Sequence, residues 1–287
     1  MEVQLLAARP CILDDRCLCE PADLHLDVAL AHPVKAADFP QTLLRFRNDR
    51  HAATVGLDGL DDAAEGTASI TSFGAAPAVQ IGAAAGVVTI GAVAGTAAAG
   101  NGIVNNGRIL GSGVYKDIAA TGLSIGGLGG ATTITGGLLN AGSIGATSNG
   151  GNATAVRVGN LASVPMLRNT GTIEAAGGSA ATSQVRAVVI DAGGSLPSLT
   201  NSGRIAATAA TDGSAGAIID LSGTLRTVEN SGTISATSAK PAADRAIAID
   251  LSANTSGAVV RQTGATATAK PAITGDIRFG SGNDVLE

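Results

Sequence analysis

Aromatic side chains are almost missing from this sequence: 287 residues contain four Phe, one Tyr and no Trp. A compact core normally takes much of its buried area from aromatic rings, so a core here has to be built from Ile, Val, Leu and Ala in thin layers. Cys and His are also missing from residue 66 onward. Their absence excludes Ser-His-Asp and Cys-His catalysis, disulfides and thiolate or imidazole metal sites from that part of the chain. Charged residues make up only 14% of the sequence, and no Lys/Arg cluster follows residue 65. Nucleic acid and anionic membrane surfaces therefore lack the basic field that would attract them, and neither is an expected partner. The uncharged stretch from Gly66 to Gly107 exceeds the length of a membrane span, but Ala, Gly and Thr dominate it and no direct span is expected.

Glycine is abundant, and its distribution divides the chain. Only Gly56 and Gly59 of the 40 glycines precede residue 66. Residues 1–65 hold all three Cys, all three His, six basic and twelve acidic side chains, whereas residues 66–287 carry twelve basic and eleven acidic ones. The reading is of a non-repetitive, poorly defined segment over 1–65 followed by a repetitive region over 66–287. Cys11, Cys17 and Cys19 with His25 and His32 suggest a metal site, but the Cys-x5-Cys-x-Cys spacing fits no zinc pattern and no metal or other cofactor is assigned. The composition break also leads to the expectation that residues 1 to about 55 derive from a miscalled start or an out-of-frame reading.

The repetitive region is organised by Ile103-Val-Asn-Asn-Gly-Arg-Ile109, Leu138-Leu-Asn-Ala-Gly-Ser-Ile144, Leu167-Arg-Asn-Thr-Gly-Thr-Ile173, Leu199-Thr-Asn-Ser-Gly-Arg-Ile205 and Val228-Glu-Asn-Ser-Gly-Thr-Ile234. All five read aliphatic-x-Asn-x-Gly-x-Ile. A sixth copy, Val260-Arg-Gln-Thr-Gly264, replaces Asn with Gln262 and lacks the closing Ile. The Asn or Gln position recurs at steps of 35, 29, 32, 29 and 32 residues. Between the copies lie β-branched runs: Ala155–Gly159, Ala187–Asp191, Ala217–Asp220 and Ala246–Asp250. Small polar stretches at 175–184 and 207–216 read as loops.

Runs of three to six β-branched residues bounded by Gly, Asn, Asp or Ser, with no 3.6-residue apolar period, read as strands. A period of about thirty residues with two or three such strands implies a solenoid with one coil per repeat. The expected fold is all-β: a single-stranded right-handed parallel β-helix of about six or seven coils, roughly 30 Å long at the interstrand spacing. Ile109, Ile144, Ile173, Ile205 and Ile234 should form one internal ladder, and Ile103, Leu138, Leu167, Leu199, Val228 and Val260 its neighbour. Asn105, Asn140, Asn169, Asn201 and Asn230 should stack at a corner, where left-handed backbone suits Asn and a following Gly keeps the turn tight.

Three features carry candidate chemistry. Asp191, Asp220 and Asp250 recur at steps of 29 and 30 residues, which would align three carboxylates on one face for acid-base work or Ca²⁺ ligation, with Arg186 and Arg245 offsetting their charge. The plainer expectation is that each Asp ends a strand and caps a turn. The tail Gly280-Ser-Gly-Asn-Asp-Val-Leu286 resembles half of a calcium-binding nonapeptide repeat, and one copy cannot complete such a site. Gly122–Gly130 lacks the Lys-Ser/Thr of a phosphate loop. No catalytic or metal-binding residue is assigned, and the binding residues are left unknown.

The repeated aliphatic-x-Asn-x-Gly-x-Ile corners resemble those of the passenger regions of bacterial autotransporters. Ile273-Thr-Gly-Asp-Ile-Arg-Phe-Gly-Ser-Gly-Asn-Asp-Val-Leu-Glu287 is similar to a segment found late in such passengers. The resemblance covers residues 66–287. It implies a passenger fragment exposed at the cell surface, associated with the outer membrane or secreted, serving as a spacer or adhesive stalk rather than as an enzyme. Its implied partners are glycans or proteins of a host or neighbouring cell, and in the full-length protein a C-terminal β-barrel translocator. The chain itself shows no recognisable signal peptide and no barrel strands. The alternative is a polysaccharide-active β-helix enzyme, a lyase or hydrolase, which needs several carboxylates converging on one cleft.

Overall fold

Residues with alternating aliphatic and small polar side chains, punctuated every few positions by Gly, Asn or Ser, cannot sustain a long element of either kind, and the chain responds with short strands. The computed structural model describes residues 44–46, 68–92, 100–240, 245–265 and 270–287. All of them belong to one compact unit, Pro40–Glu287. Every regular element among them is a strand, and every strand pairing is parallel.

Three faces make up the coil. The asparagine face has eight strands: Leu44–Phe46, Ile103–Asn105, Leu138–Asn140, Met166–Asn169, Ser198–Asn201, Thr227–Asn230, Val259–Gln262 and Val285–Leu286. The seven-stranded isoleucine face runs from Ser69–Phe73 through Arg108–Gly113, Ser143–Ser148, Thr172–Gly177, Arg204–Ala209 and Thr233–Ser238 to Ala272–Thr274. The aspartate face, also seven-stranded, runs from Val79–Ile81 through Ala120–Ile125, Ala153–Val158, Gln184–Ile190, Ser214–Asp220 and Ala246–Asp250 to Asp276–Arg278. Together they form about five full turns with partial coils at the ends. The fold is a parallel β-helix, right-handed as parallel crossovers are by general rule.

A short fourth side fades along the axis. It has four residues in Val87–Ile90 and Ala131–Ile134, two in Ala162–Ser163, and then a single bridge from Ser163 to Ser195. Coils vary in perimeter, which is why the Asn steps vary in length.

The expected ladders are present and in register. Ile70, Ile109, Ile144, Ile173, Ile205, Ile234 and Ile273 pair in one unbroken column. The sixth motif therefore has its closing Ile after all: Ile273, displaced in sequence by the residues inserted after Gln262. The adjoining column is Ile103, Leu138, Leu167, Leu199, Val228 and Val260, and each of these is 1% exposed or less. Full burial of each aliphatic side chain contributes about 1.5–3 kcal/mol, so the two columns supply a core without aromatic rings.

The loops lie where the looser spacing placed them but are shorter. Ala175 and Ala207, read as loop residues, are buried strand partners of each other. They belong to a third buried column, Ala146, Ala175, Ala207 and Ala236.

The corner differs from the expectation in its cause. Neither the ladder asparagines nor the glycines two positions later have positive φ. These glycines are required by crowding along the axis. A Cβ on Gly142, Gly171, Gly203 or Gly232 would lie 2.0–2.1 Å from the carbonyl oxygen of Gly107, Gly142, Gly171 or Gly203 in the preceding coil. By contrast, a Cβ on Gly145 meets nothing closer than the flexible tip of Leu110, at 3.2 Å.

This contrast sets a stability prediction. Gly203→Ala should lower the chemical-denaturation midpoint, with a loss of about 1–3 kcal/mol as in other overpacked sites. Gly145→Ala should change stability by less than about 0.5 kcal/mol. Equal losses in the two variants would show that strand propensity, not axial crowding, keeps the corner glycine.

Candidate functional site

The stacked asparagines occupy a buried seam between the asparagine and isoleucine faces. Asn105 Nδ2 donates to Asn140 Oδ1 at 2.7 Å, Asn140 to Asn169 at 2.7 Å, Asn169 to Asn201 at 2.7 Å and Asn201 to Asn230 at 2.8 Å. The amide nitrogens also reach the carbonyls of Ser143, Thr172, Arg204, Thr233 and Ala272 in the following coils. Gln262 does not extend this chain. Its Nε2 donates instead to the Pro271 carbonyl at 2.9 Å, two residues before Ile273.

The three aspartates do not align. Ile190 pairs with Asp220, and Ile219 pairs with Asp250, so Asp250 lies one position out of step with Asp220, and Asp191 lies one position beyond the residue that pairs with Asp220. Side chains alternate across a strand, and a one-residue step moves a carboxylate to the other side. Asp220 consequently points inward, in a column otherwise formed by Ile81, Ile125, Val158 and Ile190, and is 1% exposed. Its carboxylate accepts hydrogen bonds from Ser222 N, Ser222 Oγ, Gly223 N and Leu225 N, at 2.6–3.1 Å. It is a turn cap held inside the coil. In the next coil Asn254 has the corresponding duty, accepting from Ser256 N and donating to the Leu225 carbonyl.

Asp191 and Asp250 are partly exposed. Asp191 Oδ2 accepts from Arg157 Nε at 2.6 Å, and Asp250 accepts from Ser252 N. Arg186 does offset charge here: burial lowers its pKa, Asp191 and Asp250 raise it, and Arg157 lowers it further. Arg245 also stabilises the charged form of Asp212, after the larger effect of the Asp212–Lys240 ion pair. The tail aspartate Asp284 accepts from Ala258 N in the preceding coil. Among the described residues no three His, Cys, Asp or Glu side chains gather as metal ligands, and no helix is long and apolar enough to cross a membrane. Cys11, Cys17, Cys19, His25 and His32 lie outside the described residues.

The surface feature not anticipated from sequence runs along the outside of the asparagine corner. The residue that follows the Asn or Gln position carries a hydroxyl in four consecutive coils, Thr170, Ser202, Ser231 and Thr263, and is exposed in each. A groove of about 460 Å³ follows one flank of this ridge, with Thr172, Arg204, Thr233 and Lys270 in its lining. A second, of about 380 Å³, follows the other flank beside Arg168, Thr200 and Glu229. Arg204 Nη2 donates to Glu174 at 3.3 Å, while Arg204 Nη1 is buried with no acceptor. The signal was present in the variable positions of the motif, which read Thr, Ser, Ser and Thr in succession.

No protein-family model matches this chain, and no curated protein or solved structure matches it either.

The aspartate geometry is testable by truncation. Asp220→Ala should cost about 1–3 kcal/mol, because it strands buried backbone donors. Asp191→Ala should cost less than about 1 kcal/mol, as expected for a solvent-accessible ion pair. Denaturation midpoints that fall equally for both would contradict the inward placement of Asp220.

Proposed function

We propose that this chain is the β-helical part of an autotransporter-type passenger, a cell-surface or secreted stalk that spaces or presents a binding surface. The observation carrying this reading is the axial continuity of the Asn and Ile columns. Each coil is braced by its neighbours through identical contacts, which suits a rigid spacer whose length is set by coil number. The resemblance of the corner motif to those of autotransporter passengers supports the same conclusion.

The register of the aspartates favours the stalk over the polysaccharide-active enzyme. Asp220 is committed to four donors inside the coil, and Asp191 is paired with Arg157. Neither carboxylate is therefore free for the convergent acid-base pair that glycoside chemistry requires.

Surface protease treatment of intact source cells, followed by immunodetection with antibodies against residues 100–240, tests the assignment. The expected result is loss of signal from undamaged cells and retention of periplasmic and cytosolic marker proteins. A signal that remains protected until the cells are broken would overturn the surface assignment.

A further inference from the structure

We infer that the asparagine corner binds a linear polysaccharide bearing carboxylates, through the hydroxyl ridge and the groove beside it. This deepens the adhesive form of the stalk reading, on which it rests, by assigning a ligand class and residues.

The ridge is a rigid, periodic array. Thr170, Ser202 and Ser231 each follow a ladder asparagine whose buried amide bonds fix the corner, so their side chains repeat at about 4.8 Å, the spacing between parallel strands. Ser202 and Ser231 hydroxyls have no protein partner among the described residues, leaving them available to a chain of sugar hydroxyls. A repeating array matches a repeating ligand better than an isolated small molecule.

Charge selects the type of polymer. Arg204 and Lys270 both line the groove. Glu174 engages only one terminal nitrogen of Arg204, at 3.3 Å, and Lys270 has no ion-pair partner among the described residues. A guanidinium and an ammonium both form charge-assisted hydrogen bonds to carboxylate oxygens. No aromatic ring lines the groove, so the stacking platform useful for a neutral sugar is missing, while two cations face a ledge of hydroxyls. The combination fits a uronic-acid polymer, whose carboxylates meet the cations and whose hydroxyls meet the ridge.

Calorimetric titration of the whole chain with galacturonate oligomers, neutral dextran oligomers and dextran sulfate tests the inference. Galacturonate oligomers should bind, more weakly as salt is raised, with dextran silent and dextran sulfate weaker than galacturonate. Arg204→Gln and Lys270→Gln should each reduce affinity on the order of tenfold, the loss expected for one charge-assisted contact. Arg108→Gln, on the same face but in a coil outside the groove, should leave binding unchanged. Circular dichroism melting curves for all variants verify that the coils remain intact. The inference is overturned by no heat at millimolar galacturonate, by equal binding of dextran, by equal or tighter binding of dextran sulfate, or by an equal loss in Arg108→Gln. Failure here alongside protease accessibility on intact cells removes the ligand and leaves the stalk. Binding by a chain confined inside the cell removes the stalk and leaves the ligand.

Discussion

The hydrogen bond from one asparagine amide to the next holds the corner on which the other columns depend. A buried amide without partners costs about 1–3 kcal/mol, so a seam of five such side chains is tolerable only when the coils stack in register. Once they do, the donors and acceptors satisfy one another along the axis, and backbone carbonyls of the next coil take the remaining donors. The same stacking brings corner backbones so close that a methyl group at Gly203 would collide with the carbonyl of Gly171. Asparagine and glycine recur together because one demands close stacking and the other permits it.

That constraint also explains the near-absence of aromatic residues. Identical columns at the strand spacing accept side chains that pack on copies of themselves, and Ile on Ile does so without strain. A large ring would have to recur in each coil or leave a gap beside it. The interior instead stacks Ile, Leu and Val in some columns and Ala in another, as the Ala175–Ala207 pair shows. On the outside, by contrast, the same repetition turns a variable motif position into a row of hydroxyls, so the surface inherits its order from the interior.

The periodicity of the motif made the parallel β-helix and the two aliphatic columns legible in the sequence, because each needs only a residue type recurring once per coil. Ile70 and Ile273 escaped notice since neither is preceded by an intact Asn-x-Gly corner. The aspartates misled for a related reason. Their spacings of 29 and 30 residues look constant, whereas the coils there advance by 30 and 31, as the Ile190–Asp220 and Ile219–Asp250 pairings show. A difference of one residue decides between inside and outside, and composition carries no record of it. The groove was hidden because Lys270 lies outside the repeated motif, in the sequence inserted between Gln262 and Ile273.

Repetition creates a difficulty of its own: columns of identical residues would accept a neighbouring coil displaced by one whole repeat almost as readily as the correct one. Coil perimeter breaks that degeneracy. The fourth side spans four residues in Val87–Ile90 and Ala131–Ile134, two in Ala162–Ser163 and then a single bridge from Ser163 to Ser195, so a coil displaced by one repeat meets a neighbour of another size. Gln262 marks a second unique place, where the amide relay stops and the chain leaves the corner. Coil perimeter and the change at Gln262 thus act as address labels, giving an otherwise interchangeable stack a defined order of assembly.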